Sequence, residues 1–196
     1  MDLAVNLRNR QDILIFAKNE EMQKKSLREL MAERKLTSGA APRVPLRLLL
    51  ENIRSAENVG ALFRLADVFG IESLDLAGFT PVPPRPDLAK VALGAEKTVP
   101  WTSVTSLSSF LPEIKAKGYQ ILALEQVHQS LSLADWAPGG LPTLLILGHE
   151  VDGVSEEALQ YCDGALEIPQ FGSKHSLNVA TAAAVATWEY VRQSRF

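Results

Sequence analysis

Cysteine is almost absent from this 196-residue chain: Cys162 stands alone. One thiol excludes an intrachain disulfide and any cysteine cage around zinc or an iron–sulfur cluster. Histidine is scarce as well. His128, His149 and His175 lack ligand-like spacing, so no metal is expected, even at the neighbouring pair His149-Glu150. Long hydrophobic runs are missing too. Runs such as Leu48–Leu50, Leu144–Leu147 and Ala182–Ala186 fall far short of the roughly 18–20 residues of a membrane span. Residues 1–20 alternate charged and apolar groups, without the apolar core or small-residue cleavage site of a secretory signal. The chain contains no G-x-G-x-x-G, no Walker lysine motif and no G-x-S-x-G elbow. These absences argue against a dinucleotide-dependent oxidoreductase, a nucleotide triphosphatase and a serine hydrolase. No internal repeat is visible. The expectation is a soluble cytoplasmic protein with no membrane contact.

What is present has globular proportions: 46% hydrophobic and 22% charged residues, in a length suited to one domain with a short appendage. The net charge of −3 conceals an asymmetry. Residues 1–47 carry ten Lys/Arg against six Asp/Glu, and the remaining 149 residues carry ten against seventeen. A basic segment on an acidic body suits a polyanion-binding arm. A solvated amphipathic helix explains the same charges, and both readings stay open at this point.

Residues 1–40 have a helical pattern, mainly over Glu20–Leu36, where Met22, Leu27, Leu30 and Met31 recur near helical spacing. Thr37–Pro45 reads as a linker, with Gly39 and two prolines ending the helix. The expected organisation is therefore a basic helical extension and linker over 1–45 and one domain over 46–196. In that domain, apolar runs at Leu46–Leu50, Ser73–Ala77, Tyr119–Leu124, Thr143–Leu147 and Ala165–Ile168 read as strands. Helical patterns at Asn58–Phe69, Leu107–Lys117, Ser155–Tyr161 and Asn178–Gln193 lie between or after them. Such alternation predicts an α/β fold with a mostly parallel sheet. Thr80–Trp101 breaks the rhythm, and Pro81, Pro83, Pro84 and Pro86 predict a long exposed loop there.

Ligands of open α/β sheets sit beyond the carboxyl ends of the strands. Three such ends are rich in polar residues or glycine. The first, Glu51–Gly60, leads into a helix on which Glu57, Gly60, Arg64 and Asp67 share one face. Gly60 either clears room for a ligand beside Arg64 or lets a neighbouring element pack closely, with Arg64 merely pairing Asp67. The second, Leu147–Ser155, has two glycines around an acidic turn, and Ser155 suits an N-cap. The third, Ile168–Asn178, precedes a helix of mostly small residues that suits deep burial or a subunit contact. Ser176 and Asn178 can cap that helix or donate hydrogen bonds to a ligand.

In this order the three ends resemble the SpoU (TrmH-like) branch of the SPOUT RNA methyltransferases. The first motif is Asn52…Asn58-Val59-Gly60-Ala61…Arg64…Ala66-Asp67…Phe69-Gly70. The second is Leu145-Ile146-Leu147-Gly148-His149-Glu150…Gly153-Val154-Ser155. The third is Ile168-Pro169…Gly172…Ser176-Leu177-Asn178-Val179-Ala180…Ala182. The match departs at Leu65, where many members have threonine.

The resemblance implies a SPOUT-type mostly parallel sheet with helices on both faces and a C-terminal trefoil knot over roughly residues 143–193. It implies a homodimer that binds S-adenosyl-L-methionine and methylates a ribose 2′-hydroxyl of tRNA or rRNA. The short N-terminal extension leans the expectation toward tRNA. By the same resemblance Leu147, Gly148, Ile168 and Leu177 hold the cofactor. Arg64 is the catalytic arginine, and Asn58, Ser176 and Asn178 orient it and the ribose. Glu150 either accepts a proton or braces the loops. A non-catalytic RNA-binding protein on the same fold is the alternative.

Overall fold

The computed structural model describes residues 23–38 and 42–195. The chain divides after Pro42 into two compact units. In the first, helix α1 spans Leu27–Ser38. Ser26 and Glu29 cap its start reciprocally: the Glu29 N–H donates to Ser26 Oγ, and Glu29 Oε2 accepts from the Ser26 N–H at 2.7 Å. That capping box starts the helix later than the expected Glu20. Residues 20–22 of the expected helix lie outside the described residues, as does the rest of the N-terminal arm before Gln23.

The second unit is an α/β layer structure. Its strands are β1 (Val44–Glu51), β2 (Ile71–Ala77), β3 (Trp101–Val104), β4 (Gln120–Leu124), β5 (Leu131–Ser132), β6 (Thr143–Leu147) and β7 (Gly164–Glu167). All neighbours pair in parallel, in the order β3-β2-β1-β6-β4-β7-β5. The helices are α2 (Ala56–Phe69), α3 (Pro86–Ala92), α4 (Leu107–Ala116), α5 (Glu156–Leu159) and α6 (Val179–Arg195). β1 is apolar almost throughout because parallel strands are covered on both faces. Leu48 and Leu50 join Leu62, Phe63, Leu88, Ala183 and Tyr190 on one side of the sheet. Leu49 joins Ile114, Ile121, Ile146 and Ala158 on the other.

The expected loop over Thr80–Trp101 is not one. Pro86 occupies the first turn of α3, where a missing N–H costs nothing, and Leu88 and Ala92 are buried one turn apart. A 3₁₀ turn at Ala95–Lys97 follows. The prolines restrict only the stretch before Pro86. The short strands β3 and β5 also lie outside the expected set, since polar residues fill half of each and leave no apolar run. Leu65, the departure within the first motif, packs against the core.

Gly60 is explained by packing. A Cβ there would come within 2.5 Å of the Leu88 carbonyl oxygen and 3.0 Å of Val91 Cβ, so the glycine lets α2 and α3 touch. No ligand is needed to account for it. Arg64 does not pair with Asp67, whose Oδ1 accepts from the Thr98 hydroxyl at 3.0 Å.

Candidate functional site

The carboxyl ends of β4, β6 and β7 open onto one cleft of about 710 Å³. Leu147, Gly148, Ile168 and Leu177 all line it, together with Glu150, Ser176 and Asn178. Arg64 and Asn58 do not. The cleft adjoins the place where sheet order reverses, between β1 and β6, as open α/β sheets lead one to expect.

Gly148 and Gly153 are required by the chain itself. His149 and Gly153 exchange backbone hydrogen bonds of 2.9 Å, closing a tight turn. A Cβ on Gly148 would lie 2.1 Å from the Gly153 carbonyl carbon. Gly153 has φ +72°, and a Cβ there would strike Glu125 Oε2. The turn is therefore folded on glycine and anchored on Glu125, whose Oε2 also accepts the Val154 N–H at 3.0 Å. Ser155 then caps α5, accepting from the Ala158 N–H at 3.1 Å.

Glu150 is the hub. Its Oε2 accepts the Arg54 N–H at 2.9 Å; its Oε1 accepts the Ser55 N–H at 3.2 Å and Asn58 Nδ2 at 2.9 Å. Asn58 Oδ1 in turn accepts from Asn178 Nδ2 at 3.1 Å. Asn178 Oδ1 caps α6 through the N–H groups of Ala180 and Thr181, at 3.0 and 3.3 Å. Three motifs far apart in the chain are thus joined by one relay, Glu150–Asn58–Asn178. Burial pushes the Glu150 carboxyl pKa up, but hydrogen bonds from Arg54, Asn58, its own N–H and Ser55 outweigh burial and hold it below its ordinary value. A carboxylate so engaged is a weak base.

Arg64 stands apart from this relay. It is exposed on α2 and has no hydrogen bond or ion pair among the described residues. Ser176 is also exposed, in a loop where residues 171–178 are all exposed. It does not cap α6; Asn178 alone does so. The loop is tied to β4's end by Gln126, whose Nε2 donates to the His175 carbonyl at 2.8 Å.

Glu125 and Gln126 line the cleft and Ser55 braces Glu150, and none of the three is among the residues expected from the sequence. Glu125 and Gln126 follow directly on the expected strand Tyr119–Leu124, so they too stand at the carboxyl end of a strand, where ligands of open sheets sit. Ser55, three residues before Asn58, is the N-cap of α2. Among the described residues, no cluster of His, Cys, Asp or Glu could hold a metal, and no helix is long and apolar enough to cross a membrane.

The model of the SpoU rRNA Methylase family matches residues 45–188. The chain belongs to the SpoU rRNA methylase family. A 23S rRNA (guanosine-2'-O-)-methyltransferase RlmB from Ralstonia nicotianae is 35% identical over 150 residues, covering 76% of this chain and 59% of that relative. This chain thus spans about three-fifths of its RlmB relative. Among solved structures, the TrmH/SpoU tRNA modifying enzyme of A. aeolicus superposes with a TM-score of 0.70 at 27% identity, covering 78% of this chain and 77% of that one. The SpoU methyltransferase AviRb of Streptomyces viridochromogenes, in complex with AdoMet, gives 0.70 at 26%, covering 88% and 66%. The α/β sheet is that of these SPOUT enzymes.

Proposed function

We propose that this chain transfers a methyl group from S-adenosyl-L-methionine to a ribose 2′-hydroxyl of RNA. The observation that carries the reading is the relay Glu150–Asn58–Asn178, which fastens the three SpoU motifs around one cleft. The cleft suits the cofactor. About 710 Å³ is the size of an ordinary ligand site, its walls at Leu147, Ile168 and Leu177 are apolar, and backbone groups are on offer beside Gly148. The cofactor brings a methyl already activated by its sulfonium.

The protein's task is positioning and charge. Arg64 carries a guanidinium that stays charged at neutral pH, so it does not take the proton. It clamps an RNA phosphate and polarises the hydroxyl. Glu150 braces the loops, because its acceptor sites are spent on Arg54, Ser55 and Asn58. Ser176 faces the cleft and orients the ribose, and the proton leaves to water or to an RNA phosphate.

α6 shows Val185 and Trp188 at 40% and 48% exposure, and α2 shows Val68 at 55%; this apolar face suits a homodimer contact. The basic extension before β1 serves as an RNA-binding arm, and the trefoil knot lies within 143–193. The protein works in the cytoplasm. The substrate is a structured RNA: the Ralstonia relative is named for 23S rRNA and the A. aeolicus structure for tRNA, so the lean toward tRNA gains no support from the former.

Mass-spectrometric mapping of ribose methylation in a strain lacking the protein tests the activity and names the RNA class. Loss of one 2′-O-methyl mark is expected; an unchanged methylation map, with cofactor binding absent by calorimetry, overturns the reading. A monomer by light scattering overturns the dimer.

A further inference from the structure

Phe79 is an unusual residue to leave in water. The residue is 62% exposed, yet its backbone is closely held. Gly78 before it has φ +63°, and a Cβ there would fall 1.9 Å from Asn52 Oδ1. Asn52 is itself left-handed, at φ 57°, and its Oδ1 accepts the Phe79 N–H at 3.3 Å. Thr80, buried next door, donates its hydroxyl to the Leu50 carbonyl at 2.8 Å and accepts the Ile53 N–H at 3.0 Å. The loops after β1 and β2 are thereby stitched together residue by residue. The Phe79 ring meets the ring of His149 edge-on, with centroids 5.9 Å apart, and His149 lines the cleft. Arg54 sits in the other stitched loop. Its N–H is fixed on Glu150, and its exposed side chain has no hydrogen bond or ion pair among the described residues.

Core packing does not account for an exposed ring on a backbone fixed by two left-handed residues. We infer that Phe79 and Arg54 form a nucleotide subsite at the mouth of the cleft, Phe79 stacking on a base of the RNA and Arg54 holding a neighbouring phosphate. The inference rests on the RNA-methyltransferase reading. A ring face accepts any base, so the subsite adds affinity without base selection. Arg54 adds a salt-dependent contact.

The test uses the full chain, total RNA from a strain lacking the protein, and labelled S-adenosylmethionine. Phe79→Ala is expected to raise the KM for RNA about tenfold while the KM for S-adenosylmethionine stays within twofold. Phe79→Trp should restore the RNA value and Phe79→Leu should not, since leucine keeps apolar contact with His149 but offers no ring. Arg54→Gln should raise the RNA KM several-fold and flatten its salt dependence by about one phosphate. If Phe79→Ala leaves the RNA KM unchanged while the parent methylates RNA normally, the subsite is wrong and the enzyme reading survives. If Phe79→Leu matches the parent, or if Phe79→Ala weakens the cofactor as much as RNA, the ring supports the fold and stacking is overturned. If the parent itself methylates no RNA, both readings fall.

Discussion

Two polar clusters flank β1, and they use charge in opposite ways. Near its middle, Arg47 grips Asp75 with two hydrogen bonds, 2.9 and 2.7 Å long. Its guanidinium lies 5.8 Å from the ring centroids of both Phe110 and Tyr119. Tyr119 donates to Glu72 at 2.5 Å, and burial with that carboxylate pushes its phenol up to about 12. At the carboxyl end, Glu150 is met by two backbone N–H groups and one amide instead of a cation. In the first cluster cation and anion are spent on each other out of water. In the second, neutral donors satisfy the carboxylate, and the nearby arginines Arg54 and Arg64 remain free of ion pairs among the described residues. The first arrangement holds a sheet together. The second leaves positive charge available to a polyanion beside a cofactor-sized cleft.

The largest expected effect breaks the first cluster. Arg47→Met strands the fully buried Asp75 carboxylate and should cost about 3–5 kcal/mol, read as a fall of roughly 10 °C in melting temperature. A change of only a degree or two would mean the pair is incidental. Arg64→Ala probes the opposite kind of arginine. Methyl transfer should fall roughly 100- to 1000-fold, with cofactor affinity within a few-fold and the melting temperature nearly unchanged, because an exposed, unpaired side chain supports no packing. A loss of cofactor binding by calorimetry would contradict its placement on α2, outside the cleft.

Glu150→Gln should be milder, about 1–2 kcal/mol, because it turns an acceptor into a donor facing the Arg54 or Ser55 N–H. Its pH dependence sharpens the contrast. Glu150 has a folded pKa below its unfolded one, so its contribution is complete at neutral pH and is lost as pH falls below about 4. Burial sets Asp75 the other way, above its ordinary value despite Arg47, so its contribution declines as pH rises through about 4 and beyond. Denaturant melts of parent and Glu150→Gln between pH 3 and 7 should therefore converge at the acid end. The smallest effect concerns the first unit. Changing Lys24, Lys25, Arg28 and Lys35 to glutamine should weaken RNA binding a few-fold and flatten its salt slope by roughly one per lost phosphate contact. Single-turnover chemistry at saturating RNA should not change. Lys25 already faces Glu33 at 2.7 Å, so it is expected to contribute least of the four. Equal affinity at low and high salt would make the arm structural.

Much of the site is legible in the chain because capping and strand ends are local. Ser155 and Asn178 cap the helices they precede, and Leu147, Gly148 and Ile168 sit at the ends of β6 and β7 as their apolar runs end, with Leu177 just before α6. Other features were hidden by distance. Nothing near Gly60 in sequence announces Leu88 or Val91, and the face shared with Arg64 suggests a ligand as readily as a neighbouring helix. Pro86 looks like a breaker until Leu88 and Ala92 are seen buried behind it.

The sequence by itself determined the α/β class, five of the seven strands and the three motifs that carry family membership, because periodicity, caps and glycine turns are properties of neighbouring residues. Tertiary structure alone decided the strand order and, with it, the roles of the polar side chains. Glu150 reaches Asn58 across 92 residues, and Asn58 reaches Asn178 across 120. A carboxylate is a base or a brace according to which donors surround it, and those donors arrive only when β1 and β6 lie side by side.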